Sequence, residues 1–192
     1  TSLGDPSALI QQHDGTVSPH LLGVHVESIE FDAKPGPGVR IATDFSGVYG
    51  SEFNPRLVTM NKAHRTHYTL TPPSGIEYVL HGWGENGQPA RHGLVVEDVT
   101  IRNVTTDIAL GGELERDGNS IFIFEVAGLC IGHLGHLHHP LDETHYAAIG
   151  RLDIVMVPID GTFTMSLDGI SEITRRLRSS IVLRSEERRV GK

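Results

Sequence analysis

From Asn119 onward the chain sets strand-type runs between short helical ones, and this order limits its fold more than any other feature. NSIFIFEVAGLCIGH (119–133) reads as two apolar strands joined at Ala127-Gly128. PLDETHYAAIG follows as a short helix, capped by Asp142 and stopped by Gly150. LDIVMVPID is apolar without alternation, as a strand covered on both faces is. SLDGISEITRRLRSS is an amphipathic helix with Asp168 as its expected N-cap; Ile170, Ile173 and Leu177 share one face. Its arginines fall in the last turn, where they suit the helix dipole. SSIVL then begins a further strand.

The first half reads as strands alone. GVHVESIEF (23–31) alternates apolar and polar, KPGPG makes a turn, and VRIATD returns as the second arm of a hairpin. PRLVTMN (55–61) and IEYVLHGW are further strands, and LVVEDVTIRNV (94–104) is a hairpin about Glu97-Asp98. Residues 1–21 form a weakly patterned lead-in. No repeat and no linker divides the chain. The expectation is one α/β (α+β) domain: many antiparallel strands, then helix–strand–helix–strand, giving two sheets flanked by helices.

Composition narrows the function. With 22 glycines, 10 prolines and 38% hydrophobic residues, the 192-residue chain suits a fold rich in tight turns. A net charge of -8 argues against a nucleic-acid partner, which requires a basic field. No apolar run approaches roughly 18 residues, so a membrane span is not expected and a soluble protein is. Cys130 stands alone and excludes an internal disulfide. The chain opens at Thr1 with no Met and no leader, which reads as a processed or truncated start and leaves the compartment open. The closing RSEERRVGK resembles the translation of a sequencing-library adapter of the kind found at the ends of metagenomic reading frames. Residues 184–192 are therefore expected to be non-native, the domain to end at 183, and the true C-terminus to be missing.

The candidate chemistry lies in the 12 histidines. His64 and His67 follow the apolar strand LVTM. His133, His136, His138 and His139 follow the strand GLCIG. Loops leaving strand ends are where a rigid scaffold presents functional groups, and neutral imidazole is the commonest metal ligand. Two such loops converging would gather four to six imidazoles about one point; spacing alone does not choose among them. His145 lies within the expected helix and reads as a surface residue; His81 beside Trp83 and His92 in a polar loop also read as surface residues, with contact to a metal ligand or a substrate as the alternative.

The segment GLCIGHLGHLHHPLDETHYAAIGRLDIVMVPIDGTFTMSLDGISEITRRLRSSIVL resembles the C-terminal half of the metallo-β-lactamase-fold hydrolases, in particular their lactonase-like branch. GHLGHLHHPL is similar to a His-Leu-Gly-Asp element, and DIVMVPIDGTFTM to the strand that follows it. Further back the likeness is looser: VRIATDF resembles a hairpin strand ending in Asp, at Asp44, and PRLVTMNKAHRTHYT stands where a His-x-His-x-Asp-His motif belongs. The resemblance implies a four-layer αββα sandwich, incomplete at its C-terminus.

The departures are specific. Lys62 replaces the motif's first His and Thr66 its Asp, which weakens or removes a second metal site. His136 stands where a bridging Asp belongs, Thr106-Asp107 where a third His belongs, and a final His would fall beyond Leu183. The resemblance therefore implies one or two divalent ions, Zn²⁺ foremost. His64, His67 and His136 are the principal ligands, with His133 and His138 as further metal candidates. Asp107 and Asp160 are the candidate catalytic carboxylates, Asp160 as a group orienting an imidazole. Lys62 reads as a solvated lysine or a contact to an anionic substrate, and Asp44 as a loop stabiliser. Such a metal lowers the pKa of water to about 7 and supplies hydroxide to an ester, lactone or phosphoester small molecule. With Zn–N bonds near 2.1 Å, the His64 and His136 side chains are expected within about 5 Å of each other. The alternative is a non-catalytic divergent member that binds metal or a small ligand through the His-rich loop. A His-rich jelly roll is disfavoured by the helix–strand–helix ending. Oligomeric state is not legible.

Overall fold

The computed structural model describes residues 28–31, 39–43, 55–62, 68–72, 74–85, 88–110, 112–159 and 164–185. They form two β-sheets. The first has the order β1-β2-β3-β4, from β1 (Ser28–Phe31), β2 (Val39–Ala42), β3 (Leu57–Met60) and β4 (Tyr78–His81). The second contains β5 (Gly93–Val96), β6 (Val99–Leu110), β7 (Glu113–Val126), β8 (Leu129–His133), β9 (Ile154–Pro158) and β10 (Ile181–Ser185), in the order β10-β9-β8-β7-β6-β5.

The hairpins expected at β1–β2, β5–β6 and β7–β8 all form. The first sheet is less antiparallel than expected: β2, β3 and β4 run parallel. Residues 43–56 and 61–77 connect them, long enough for the crossovers that parallel neighbours require. β6 and β7 also run well beyond the expected strands, pairing from Thr100↔Glu125 to Leu110↔Glu113 with a bulge between Thr106 and Ile108. The outer part of this ribbon, Glu113–Arg116, is exposed.

Both faces of β7 are buried, which explains its uninterrupted apolar run. Phe122 and Phe124 face the first sheet, joining Ile41, Leu57, Leu80, Ile101 and Met156. Ile121 and Ile123 face the helices, joining Ile149, Val155, Ile170, Ile173 and Leu177. Each fully buried side chain of this kind contributes roughly 1.5–3 kcal/mol. Both described helices, α1 (Glu143–Ile149) and α2 (Leu167–Leu177), cover this second sheet.

Asp142 caps α1 as expected, its Oδ1 accepting the His145 N–H at 2.9 Å. His145 Nδ1 lies 2.7 Å from the same oxygen and donates to it. The residue is thus part of the cap. The N-cap of α2 is Ser166, whose Oγ accepts from Gly169; Asp168 lies in the first turn. A serine two residues earlier is as good a cap as aspartate. β10 pairs with β9 in parallel and includes Arg184 and Ser185, the first two residues of the RSEERRVGK tail.

Candidate active site

One edge of β7 serves two partners in turn. β8 pairs with it as far as Phe122↔His133. There β8 departs, and the Leu134 N–H turns to the Met156 carbonyl at 3.0 Å. The end of β3 takes over the vacated edge: the Ser120 N–H donates to the Asn61 carbonyl at 3.0 Å, and Lys62 pairs with Asn119 in an antiparallel bridge. The His-rich turn and the segment after Lys62 therefore leave from adjacent points of one strand. His64, His67, Asp44 and Asp160 lie outside the described residues, so the expected His64–His136 approach does as well.

Buried amides fasten this rim. Asn61 Nδ2 donates to the carbonyls of Ser120 (2.7 Å) and His133 (3.3 Å). Asn119 Nδ2 donates to Thr106 Oγ1 (2.8 Å) and the Leu134 carbonyl (3.2 Å), while its Oδ1 accepts the His136 N–H (2.8 Å). Ser120 Oγ donates to the Gly82 carbonyl (2.7 Å) and accepts from Asn103 Nδ2 (2.8 Å). Asn61, Asn119 and Ser120 are wholly buried. The network continues through Asn103, which accepts the His92 N–H, to a cleft of about 470 Å³ lined by Arg91, His92, Thr105 and Ala148. Asn61, Asn103, Asn119 and Ser120 were not sequence candidates. The available signal was asparagine at strand ends, where its low β propensity is out of place.

The structure distributes the expected site residues unevenly. His133 is buried, with Nδ1 3.1 Å from Asn61 Oδ1. His136 is 5% exposed, and its ring stands 5.9 Å from that of the half-buried His138. His138 Nδ1 lies 3.2 Å from the Ala109 carbonyl, tying the turn to the β6–β7 ribbon. Asp107 makes a second tie: its N–H donates to His139 Nε2 (3.1 Å), and its Oδ1 accepts the Asp117 N–H (2.9 Å). Because Nε2 accepts, the His139 proton is on Nδ1, which donates to the Pro140 carbonyl at 2.8 Å.

Three readings change. Lys62 is not solvated: its side chain is 12% exposed and ion-paired to Glu115. His81 stacks on Trp83 (centroids 4.6 Å apart, planes 16°), which Tyr68 meets edge-on. Burial, and secondarily the nearby His92, hold the His81 pKa below the usual imidazole range. His92 Nε2 donates to the His81 carbonyl at 2.6 Å, so neither histidine is an ordinary surface residue.

Imidazole is the right donor for a divalent transition metal. Among the described residues, however, no three His, Cys, Asp or Glu side chains converge as ligands.

Residues 31–185 match the family model of the β-lactamase superfamily domain, and the chain belongs to that family. Its fold is of the metallo-β-lactamase type. A Zn-dependent hydrolase of the metallo-β-lactamase superfamily from Thermotoga maritima is similar, with TM-score 0.58 and 23% identity over 82% of this chain and 69% of that one. So is a metal-dependent hydrolase from Parabacteroides distasonis, with TM-score 0.62 and 16% identity over 88% and 81%. A metallo hydrolase from Ignicoccus hospitalis gives TM-score 0.56 and 17% identity over 82% and 77%. At such identities the likeness concerns the fold. No curated protein sequence matches the chain. Among the described residues no helix is long and apolar enough to cross a membrane.

Proposed function

We propose that this protein is a metal-dependent hydrolase of an ester, lactone or phosphoester small molecule. The observation that supports it most is the shared edge of β7, which roots the 63–67 segment and the His-rich turn side by side. Family membership and the hydrolase descriptions of the structural neighbours point the same way. His64, His67 and His136 would hold one Zn²⁺, with His133 and His138 beside it. When bound, such an ion activates water near neutral pH and polarises the scissile oxygen.

The chain's own groups then have separable tasks. Asn119 fixes the backbone of His136, and Lys62 pairs with Glu115 at the mouth of the same segment. Asp107 uses Oδ1 to hold the Asp117 N–H and its own N–H to hold His139, and would be the carboxylate nearest the His-rich turn. Asp160 would orient an imidazole of the ligand set.

Elemental analysis of the full chain after zinc loading tests the centre, with His64→Ala and His136→Ala as variants. About one ion per chain in the wild type, lost in both variants, is expected for a site of this kind. Equal metal content in all three proteins would remove the site. Turnover of generic lactone and phosphodiester substrates then separates hydrolase from binder: a zinc-loaded wild type inert across that panel is a metal-binding protein.

A further inference from the structure

Asn61 and His133 are both wholly buried and face one another across the junction of the two turns. The asparagine's orientation is fixed by chemistry. One end of its amide meets two carbonyl oxygens, those of Ser120 at 2.7 Å and His133 at 3.3 Å. Only the NH₂ can face two acceptors, because the reverse orientation would set oxygen against oxygen twice. The other end, 3.1 Å from His133 Nδ1, is therefore the carbonyl oxygen. That oxygen can only accept. Nδ1 must carry the proton, and the lone pair of the neutral ring lies on Nε2.

The seat of Asn61 is built for it. Gly135 has φ +57°, and a Cβ there would fall 2.4 Å from both Asn61 Cβ and Nδ2. A Cβ on Gly82 would fall 2.3 Å from the Asn61 carbonyl oxygen. Gly135 thus clears the space for the Asn61 side chain, and Gly82 the space for its backbone.

From this geometry we propose that Asn61 is a positioning residue that locks His133 as the Nδ1–H tautomer, so that Nε2 is the atom His133 offers to the site. The inference rests on reading this rim as the metal centre. It assigns to Asn61 what an outer partner of a ligating imidazole does: fix the ring's tautomer and rotation before any ion arrives. The same amide binds the root of the 63–67 segment to the first residue of the His-rich turn. One side chain therefore ties the end of β3 to the end of β8 and sets the chemistry of His133.

Nitrogen NMR of the full chain, ¹⁵N-labelled at histidine, metal-free and above the imidazole range of about pH 6.5, reads the tautomer directly. His133→Phe assigns the signals. The expected wild-type result is a proton on His133 Nδ1 and none on Nε2; a proton on Nε2 overturns the proposal. Asn61→Asp keeps an acceptor toward Nδ1 and, where it folds despite setting its second oxygen against the Ser120 and His133 carbonyls, is expected to keep the tautomer. Asn61→Ala is expected to lose it and to weaken zinc binding about 10–100-fold. A folded Asn61→Ala protein whose His133 stays solely Nδ1–H overturns the positioning role; if that variant does not fold, the wild-type tautomer decides. Failure to bind zinc, with the tautomer as expected, counts against the metal centre itself. A zinc-binding wild type with the wrong tautomer counts against Asn61 alone.

Discussion

Lys62 stands opposite Asn119 in an antiparallel bridge, and it is the Asn119 side chain that holds the His136 N–H at 2.8 Å. One residue of β7 thereby touches both Lys62 and the His-rich turn. Its NH₂ spends both donors, on Thr106 Oγ1 and the Leu134 carbonyl, in a position with no solvent exposure.

Asn119→Leu preserves volume and removes every one of these bonds. An unsatisfied buried polar group costs about 1–3 kcal/mol, and three would be created, although local relaxation recovers part of the loss. A destabilisation of about 3 kcal/mol is expected from urea unfolding at constant m-value, on the same scale. A change within about 0.5 kcal/mol, the range of an inert surface substitution, would show that Asn119 does not hold the rim.

Two glycines separate close approach from chain flexibility. A Cβ at Gly82 would lie 2.3 to 2.9 Å from the O, C and Cα atoms of Asn61, all backbone and unable to swing aside. Gly93, in β5, has nothing within 4 Å of the same position. Gly82→Ala should therefore destabilise by about 1–3 kcal/mol, as overpacking does. Gly93→Ala should stabilise by about 0.4–1 kcal/mol, by restricting the unfolded chain. Opposite shifts in thermal midpoint are the signature; equal shifts would mean that the Gly82 contact yields at no cost.

Much of this architecture was legible because burial wrote it into the sequence. Phe122 and Phe124 on one face of β7, with Ile121 and Ile123 on the other, make a run that only a doubly covered strand tolerates. The Ile170, Ile173 and Leu177 stripe likewise announced α2. Where burial ceased, so did the signal. Glu113–Arg116 are exposed, and nothing in ELER distinguishes a projecting ribbon from a loop. The parallel pairing of β2, β3 and β4 was hidden for another reason: it depends on which strands the long connections bring together, and strand sequence does not record that. The histidines marked a candidate site, whereas the asparagines that fasten its described rim gave no such signal. Asn61 and Asn119 act through buried amide geometry, and a polar residue at a strand end looks the same whether it meets water or a carbonyl.

His81 should make the protein less stable in mild acid. Burial and the neighbouring His92 keep the folded ring neutral below the usual imidazole range. As pH falls from about 6.5, the unfolded chain takes up a proton that the folded chain refuses, so stability declines until the folded pKa is passed. Above that window the contribution is complete. His81→Phe keeps a ring on Trp83 and cannot titrate; its thermal midpoint should vary less across the window than that of the wild type. Trp83 is the chain's single tryptophan, so its emission reports on the stacked imidazole. Quenching should set in below the usual histidine range. Wild-type and His81→Phe curves of identical shape would rule His81 out.

Asp142 should respond to acid in a different range. The hydroxyl of Thr144 contributes most, and then the backbone N–H of His145; together they hold its carboxyl well below the usual carboxylate range. The unfolded chain, with a carboxylate near pH 3.9, binds its proton first as pH falls. The cap's contribution is therefore complete above about pH 3.9 and is lost only in stronger acid, as pH drops through the folded value. His145 Nδ1 donates to the same oxygen. Asp142→Ala removes the acceptor for both His145 groups and should fray the first turn of α1, in the element directly after the His-rich turn. Hydrogen exchange at the His145 and Tyr146 amides is the readout, since one donates to the Asp142 side chain and the other to its carbonyl. The variant should accelerate exchange at His145 far more than at Tyr146, whose backbone bond remains. Comparable acceleration at both would mean that the whole helix depends on this one carboxylate, and no acceleration at His145 would mean that the cap is not formed in solution.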